Sequence, residues 1–367
     1  MKKLLYITPR IDGAGGLPNV LSIKTNYLTN QWKYQITILT TNAQSTTYFY
    51  DFKKINIVNK KIKGKGIVYF YNFLQLVKRQ IKLEKPDIIV VVDNGLKGLL
   101  LPYFIKTRQN KVVFEQHGYR YYKNIHNASF WTVLSQKAVT FFTNISISKV
   151  DHLVVLTPKS LCEWNLKRSC AIPNPLRFSN VEKSTLTNKK IIAVGRQVSE
   201  KAFDELLIIW KSIQLIYPDW KLEIYGQIDK NLGLQKLAEE LEIDHSVHFF
   251  SPVKNIDEKF KQASICLMTS KHEGFGMVLI EAMACGLPCV AFDCPTGPAE
   301  IIADGENGFL VPLGQNEAFK NRVIQLIKNK DLRIKLGRKA SLSVERFELN
   351  RVMQKWHQLY QTLNQNF

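Results

Sequence analysis

"HEGFGMVLIEAMACGLPCVAFDCPTGPAEII", residues 272 to 302, sets two glutamates, Glu273 and Glu281, eight positions apart around a Gly-Phe-Gly turn. The run before it, "ASICLMT" from Ala263, is apolar and short, which reads as a buried strand. Met277 to Cys285 reads as an apolar helix. Gly286 and Pro288 break it, and Pro288 to Asp293 reads as a second strand. Strand, turn, helix and strand in that order make a βαβ unit, whose two strands lie parallel in one sheet. In such sheets ligands sit beyond the carboxyl ends of the strands. Glu273 and its flanking glycines fall there.

The same rhythm extends through the chain. Strand patterns fall at Leu4–Thr8, Tyr34–Thr40, Ile55–Val58, Asp87–Asp93, Lys111–His117 and His152–Thr157. They resume at Lys190–Arg196, Lys221–Gly226, Ser246–Ser251, Ala263–Thr269, Pro288–Asp293 and Gly308–Val311. Near-continuous Val and Ile, as in "DIIVVVD", suits strands covered on both faces. Amphipathic stretches such as "VLSIKTNYLTNQW" and "AFDELLIIWKSIQLIY" lie between them. The fold class expected is therefore α/β, with two doubly wound Rossmann-like domains facing across a cleft. The seam is "AIPNPLRFSNVEKSTLTNKK", stiffened by Pro173 and Pro175. It places a first domain at 1–175, a linker at 176–189 and a second domain at 190–348. A last helix, 349–367, is expected to pack back on the first domain.

Composition narrows the class. The 367 residues are 45% apolar, which suits globular domains. No run of about 18 uncharged apolar residues offers a spanning helix. The start "MKKLLYITPRIDG" reads as a first buried strand, because its apolar run stops at Pro9-Arg10. None of the six cysteines forms a Cys-x-x-Cys pair, and no histidine cluster accompanies Cys285 and Cys289. They read as small apolar residues in a reducing compartment, with no metal. Residues 1–180 carry 27 Lys and Arg against 8 Asp and Glu, a net charge of +19. The remainder is nearly balanced, at 24 against 23. A basic half points to an anionic membrane surface or to nucleic acid. A nucleic-acid-binding module leaves the paired glutamates unexplained.

Three stretches could carry chemistry. "GAGG" ends at Gly15 and Gly16, after the first strand and before a helix, where backbone can approach an anion closely. "AVGRQVSEKAFDELL" repeats that geometry. A strand ends at Gly195, and Arg196 and Lys201 flank the loop, so two cations and a helix start could clamp a diphosphate. At the third, Gly274 and Gly276 allow exposed N–H groups on Phe275, Gly276, Met277 and Val278. Glu273 could accept from sugar hydroxyls and Glu281 from a ribose diol. Taken alone, the two glutamates read as a helix-start carboxylate and a solvated helix residue.

Context separates these readings. "EGFGMVLIEA", "GRQVSEK", "GAGG" and the seam "IPNP" occur in order along nearly the whole chain. Together they resemble the family-4 glycosyltransferases of the two-domain GT-B fold. The resemblance implies that Glu273 contacts the donor sugar and Glu281 the ribose. It implies that Arg196 and Lys201 neutralise the diphosphate, that Gly15 and Gly16 approach it, and that Gly195 and residues Gly274 to Val278 line the donor. His117, in "VVFEQHG", looks like the family's first-domain histidine facing the transferred sugar. Glu273, His117, Arg196 and Lys201 are thus the expected catalytic set. The chain departs from the family's commonest form at Leu17-Pro18-Asn19, where many members have Glu-Arg.

The implied activity is transfer, with retention, of a hexose or N-acetylhexosamine from a nucleoside diphosphate sugar. "DCPTGPAEII" resembles members that use uridine-linked donors in building capsule, O-antigen or exopolysaccharide. A GDP-mannose-dependent mannosyltransferase is the alternative within the fold. The chain has no Asp-x-Asp, the usual metal grip of the other main glycosyltransferase fold, so neither metal nor cofactor is expected. The expected acceptor is lipid-linked or a saccharide. The expected place is cytoplasmic, peripheral on the inner face of the cell membrane, with no nucleic-acid partner. "KKIKGKGIVYFYNFLQLVKRQIK", residues 60–82, mixes lysines with Ile67, Tyr69, Phe70 and Phe73, as interfacial segments do.

Overall fold

The computed structural model describes residues 2–41, 47–93, 95–107, 109–118, 130–164, 166–178 and 181–365. The chain divides into two compact units, Met1–Pro173 with Val352–Phe367, and Asn174–Arg351.

The first unit is built on seven strands: β1 Lys3–Thr8, β2 Gln35–Thr41, β3 Asn56–Lys60, β4 Ile88–Val91, β5 Lys111–Glu115, β6 His152–Val155 and β7 Ser169–Ala171. They pair in the order β3-β2-β1-β4-β5-β6-β7, every pair parallel. Between them run α1 Gly16–Trp32, α2 Gly66–Glu84, α3 Leu96–Ile105, α4 Phe130–Ile147 and α5 Pro158–Leu161. All four residues of β4 are fully buried, as the unbroken Ile/Val run requires of a strand covered on both faces. Ile89 and Val91 join Leu5, Ile7, Phe73, Val77, Val112 and Phe114 in one apolar core.

The second unit repeats the plan with β8 Lys190–Val194, β9 Lys221–Tyr225, β10 Val247–Phe250, β11 Ile265–Met268, β12 Cys289–Asp293 and β13 Gly308–Pro312. Their order is β10-β9-β8-β11-β12-β13, again all parallel. The helices are α6 Phe203–Gln214, α7 Leu234–Glu240, α8 Ile256–Lys261, α9 Met277–Ala284, α10 Pro298–Ile301, α11 Asn316–Lys328 and α12 Lys330–Ser343. Trp210 of α6 is fully buried among them, with its indole N–H donated to the Ser246 hydroxyl at 3.1 Å. Ser184 donates its backbone N–H to the Cys285 carbonyl and its hydroxyl to the Ala263 carbonyl, so the polar stretch before β8 runs along this unit.

The last helix, α13 Leu349–Gln365, starts in the second unit and continues into the first. Met353, Trp356, Tyr360 and Leu363, spaced three and four apart, form its buried stripe, with Val352 beside them. The Tyr360 hydroxyl meets the Tyr6 hydroxyl of β1 at 2.9 Å, and the His357 ring stacks on Trp32 of α1 at 4.2 Å.

The strand order fixes where sites can form. In the first sheet the chain moves from β1 out to β3, then returns to place β4 on the other side of β1. In the second it does the same around β8 and β11. At such a reversal the two neighbouring loops diverge and leave a crevice beyond the carboxyl ends of the strands. The loops after β1, β8 and β11 hold Gly15 and Gly16, Gly195 to Lys201, and Glu273 to Gly276. Strand β7 was not legible beforehand, because three residues carry no readable alternation. Among the described residues no helix is long and apolar enough to cross a membrane.

Candidate active site

In the second unit, Lys201 ends a single 3-10 turn, Ser199–Lys201, and its side chain lies back across the end of β8. A Cβ at Gly195 would sit 3.2 Å from the Lys201 Cε and 3.3 Å from its Cδ. Glycine there leaves room for the lysine stem. The Thr269 hydroxyl, just beyond β11, lies 3.1 Å from both the Lys201 and Ala202 carbonyl oxygens. It thereby ties the two loops of the reversal together.

Lys201 Nζ pairs with Glu273 Oε1, and the Ser270 hydroxyl donates to the same oxygen at 2.7 Å. The Glu273 backbone is fixed as well. Its N–H donates to the Pro295 carbonyl at 3.0 Å, and its carbonyl accepts from the Thr296 N–H at 2.9 Å. Cation and carboxylate are thus brought together at the mouth of the reversal. Arg196 is exposed beside them and makes no ion pair among the described residues. Its guanidinium remains available to an anion.

The turn into α9 is anchored by Phe275. Its ring is 3% exposed and packs edge-on against Phe347 at 5.3 Å. A Cβ at Gly297 would sit 2.1 Å from the Phe275 carbonyl oxygen, so glycine is required for this approach. Gly276 has φ +100°, a left-handed conformation that favours glycine, and it caps α9. The first N–H groups of a helix have no carbonyl one turn back to bond. Those at Met277 and Val278 therefore head α9 at the same mouth. Glu281 sits one turn along at 5% exposure, which excludes its reading as a solvated helix residue. The Cys294 thiol is pushed up to about 12 by burial and then by the Glu273 carboxylate, so it is no nucleophile at neutral pH.

In the first unit, Gly15 caps α1 and Gly16 opens it. A Cβ at Gly16 would meet nothing within 4 Å, and one at Gly15 only Pro18 Cδ at 3.6 Å. The protein's own packing therefore does not call for glycine there. His117 lies just past β5. Its Nε2 is 2.7 Å from Glu115 Oε1, and Lys24 Nζ, from α1, pairs with the same oxygen. Lys24 and Glu115 are both fully buried. Burial alone would raise the Glu115 carboxyl, but the Lys24 ammonium and the hydrogen bonds from Lys24 and His117 outweigh it and hold the group at about 2. Sequence reasoning found His117 and missed its partners. Glu115 could have been inferred, since residues two apart on a strand share a face. Lys24 and Ser270 left no such signal.

Known proteins resemble this chain in sequence and in fold. Residues 177–342 match the family described as glycosyl transferases group 1. The chain is 28% identical to an uncharacterized glycosyltransferase of Haemophilus influenzae, over 97% of this chain and 99% of that one. It is 26% identical to the amylovoran biosynthesis glycosyltransferase AmsD of Erwinia amylovora, over 98% and 99% respectively. TarM of S. aureus, crystallised with Fondaparinux, alpha-GlcNAc-glycerol and UDP, has the same fold. Its TM-score is 0.82 at 16% identity, covering 98% of this chain and 100% of that one. The fold is GT-B, built of two parallel-sheet α/β units. Residues 177–342, within the second unit, thus match a glycosyl transferases group 1 domain.

The buried Glu115 carboxylate makes stability depend on pH. Its folded value, about 2, lies below the unfolded carboxyl value near 4.3. A depressed group contributes fully above the unfolded value, and the contribution is lost as pH falls toward the folded one. Urea midpoints should therefore drop between about pH 4.5 and pH 2. The drop should be smaller in the Lys24→Met/Glu115→Leu variant, which replaces the pair with apolar groups. Equal slopes in the two proteins would show that the pair is not ionised.

Proposed function

We propose that the protein is a retaining glycosyltransferase of family 4. It moves a hexose or N-acetylhexosamine from a nucleoside diphosphate sugar to a lipid-linked or saccharide acceptor of surface polysaccharide. The observation that carries this reading is the convergence of Lys201, Glu273, the exposed Arg196 and the start of α9 at one sheet reversal. A uridine diphosphate donor is favoured by the fold shared with TarM, which was crystallised with UDP. A guanosine diphosphate mannose donor would use the same grip.

The residues divide the work by chemistry. Arg196, Lys201 and the N–H groups of Phe275 to Val278 hold the diphosphate and take up the charge that grows as it leaves. Donors already in place for developing charge cost no reorganisation during the reaction. Glu281 accepts from the ribose hydroxyls. Glu273 orients the sugar and stabilises positive character at its anomeric carbon. The acceptor oxygen attacks the face from which the diphosphate departs, and the leaving phosphate oxygen takes the acceptor proton. No enzymic nucleophile is needed, and configuration is retained. In the first unit, Gly15 and Gly16 leave the start of α1 open to an anion, and His117 is the group that faces the transferred sugar.

The cationic clamp takes the role of a metal. Transfer should persist in EDTA, measured as sugar release from donor. Loss in EDTA with recovery on adding magnesium or manganese would overturn this part of the proposal.

The first unit docks on an anionic membrane at the cytoplasmic face. The charge of residues 1–180 supports this, as do Ile67, Val68 and Tyr71, exposed on α2 behind Lys61, Lys63 and Lys65. Co-sedimentation with phosphatidylglycerol vesicles should weaken as salt rises, because screening shortens the reach of surface charge. Equal binding to neutral vesicles at high salt would exclude an electrostatic mode.

The two glutamates should fail differently in initial-rate kinetics with varied donor, on variants shown to be folded. Glu281→Gln removes charge at a ground-state contact. Donor binding should weaken about ten- to a hundredfold, from the roughly 1.5–3 kcal/mol of a hydrogen bond to a charged group. Glu273→Gln acts where charge develops only as the bond breaks, so its loss should fall on kcat. An unchanged kcat in Glu273→Gln would remove the role given to it.

A further inference from the structure

The Lys24–Glu115 pair is an odd thing to build into a core. Both side chains are 1% exposed, and removing two charges from water is costly enough that well-packed apolar residues often serve as well or better. Its geometry shows a directed use. Both Lys24 Nζ and His117 Nε2 reach the same oxygen, Oε1, while Glu115 Oε2 has no hydrogen-bond partner. The carboxylate is therefore turned toward these two groups and away from any other acceptor role. Glu115 closes β5, His117 follows two residues later, and the 2.7 Å contact brings the two side chains together. Helix α1 supplies Lys24 to that contact. The last helix holds Lys24 in turn, with Nζ 3.5 Å from the centroid of the Trp356 ring, a distance at which a cation is attracted by the ring face. Tyr6 and Tyr360, joined through their hydroxyls, complete the buried surroundings.

We propose that Glu115 is a positioning residue for His117, and that Lys24, held over Trp356, fixes Glu115 in that role. The proposal rests on the reading of His117 as the group facing the transferred sugar. An ionised carboxylate can only accept hydrogen bonds, so the imidazole nitrogen facing it must carry the proton. In the neutral ring this places hydrogen on Nε2 and the lone pair on Nδ1. Which nitrogen is protonated in a histidine is set by the bond that the other groups impose. Ring orientation and tautomer are thereby both prescribed from inside the core. The contact path runs from α13 through Trp356, Lys24 and Glu115 to His117, entirely within the first unit.

The test reads the ring directly and needs no substrate. The full chain is labelled with 15N-histidine, and long-range proton–nitrogen correlations are recorded at about pH 8, above the ordinary histidine range. His117 is assigned by its loss in His117→Gln. The unaltered protein should show His117 as a single Nε2–H tautomer. The Lys24→Met/Glu115→Leu variant, which removes the acceptor and keeps an apolar pair, should show a tautomer mixture. Its kcat should fall about tenfold or more with donor KM within about twofold, since a mis-set tautomer withdraws the ring without touching donor contacts. A tautomer mixture in the unaltered protein, or an unchanged kcat in the double variant, overturns the proposal. The first of these outcomes needs only the unaltered fold, so a double variant that misfolds does not protect the idea. Should His117→Gln leave transfer unaffected, it is the functional reading of His117 that fails, and the tautomer result still decides for or against Glu115.

Discussion

Within each sheet every described strand runs parallel to its neighbours, and the rest of each unit answers to that. A parallel strand can be reached only by crossing back over a face, so helices must cover both faces and all loops after strands emerge at one edge. Where the strand order reverses, two of those loops diverge and no helix fills the gap between them. Glycine is spent at these places because backbone must pass close to backbone or to a side-chain stem, as at Gly195 beneath Lys201 and Gly297 beneath Phe275. Charge gathers there because helix N-termini point to the same edge. The candidate site is thus a consequence of chain direction first and of residue identity second.

The two units use buried and half-buried charge in different ways. Lys201 and Glu273 sit at an open mouth, where partners can be exchanged for a ligand at modest cost. Lys24 and Glu115 are sealed, so neither can let go without leaving a bare charge in the core. The first arrangement suits groups that must respond to what binds. The second suits a fixed reference, against which an imidazole can be set.

The fold was legible because its strands are written in unbroken Val and Ile, as in β4, and its breaks in Gly and Pro. The paired glutamates and the Arg196–Lys201 spacing were legible because they lie within local sequence. The parts that escaped are those made by distant contact. Nothing near Lys24 marks it as the buried partner of a residue 91 positions on, since a lysine on an amphipathic helix ordinarily faces water. The burial of Glu281 escaped for a related reason. Its helix is apolar on nearly every side, so no pattern in α9 could tell the covered face from the open one. Strand β7 escaped through brevity.

The returning helix has a consequence in time. Val352, Trp356, Tyr360 and Leu363 belong to the core of the first unit but are made only after the second unit. Domains ordinarily fold in turn as they leave the ribosome, amino end first. Here Tyr6 and Lys24 wait for partners more than three hundred residues behind them. The first unit begins its folding before the second is synthesised and completes it only afterwards. Synthesis of the whole second unit is therefore a precondition for closing the core next to His117.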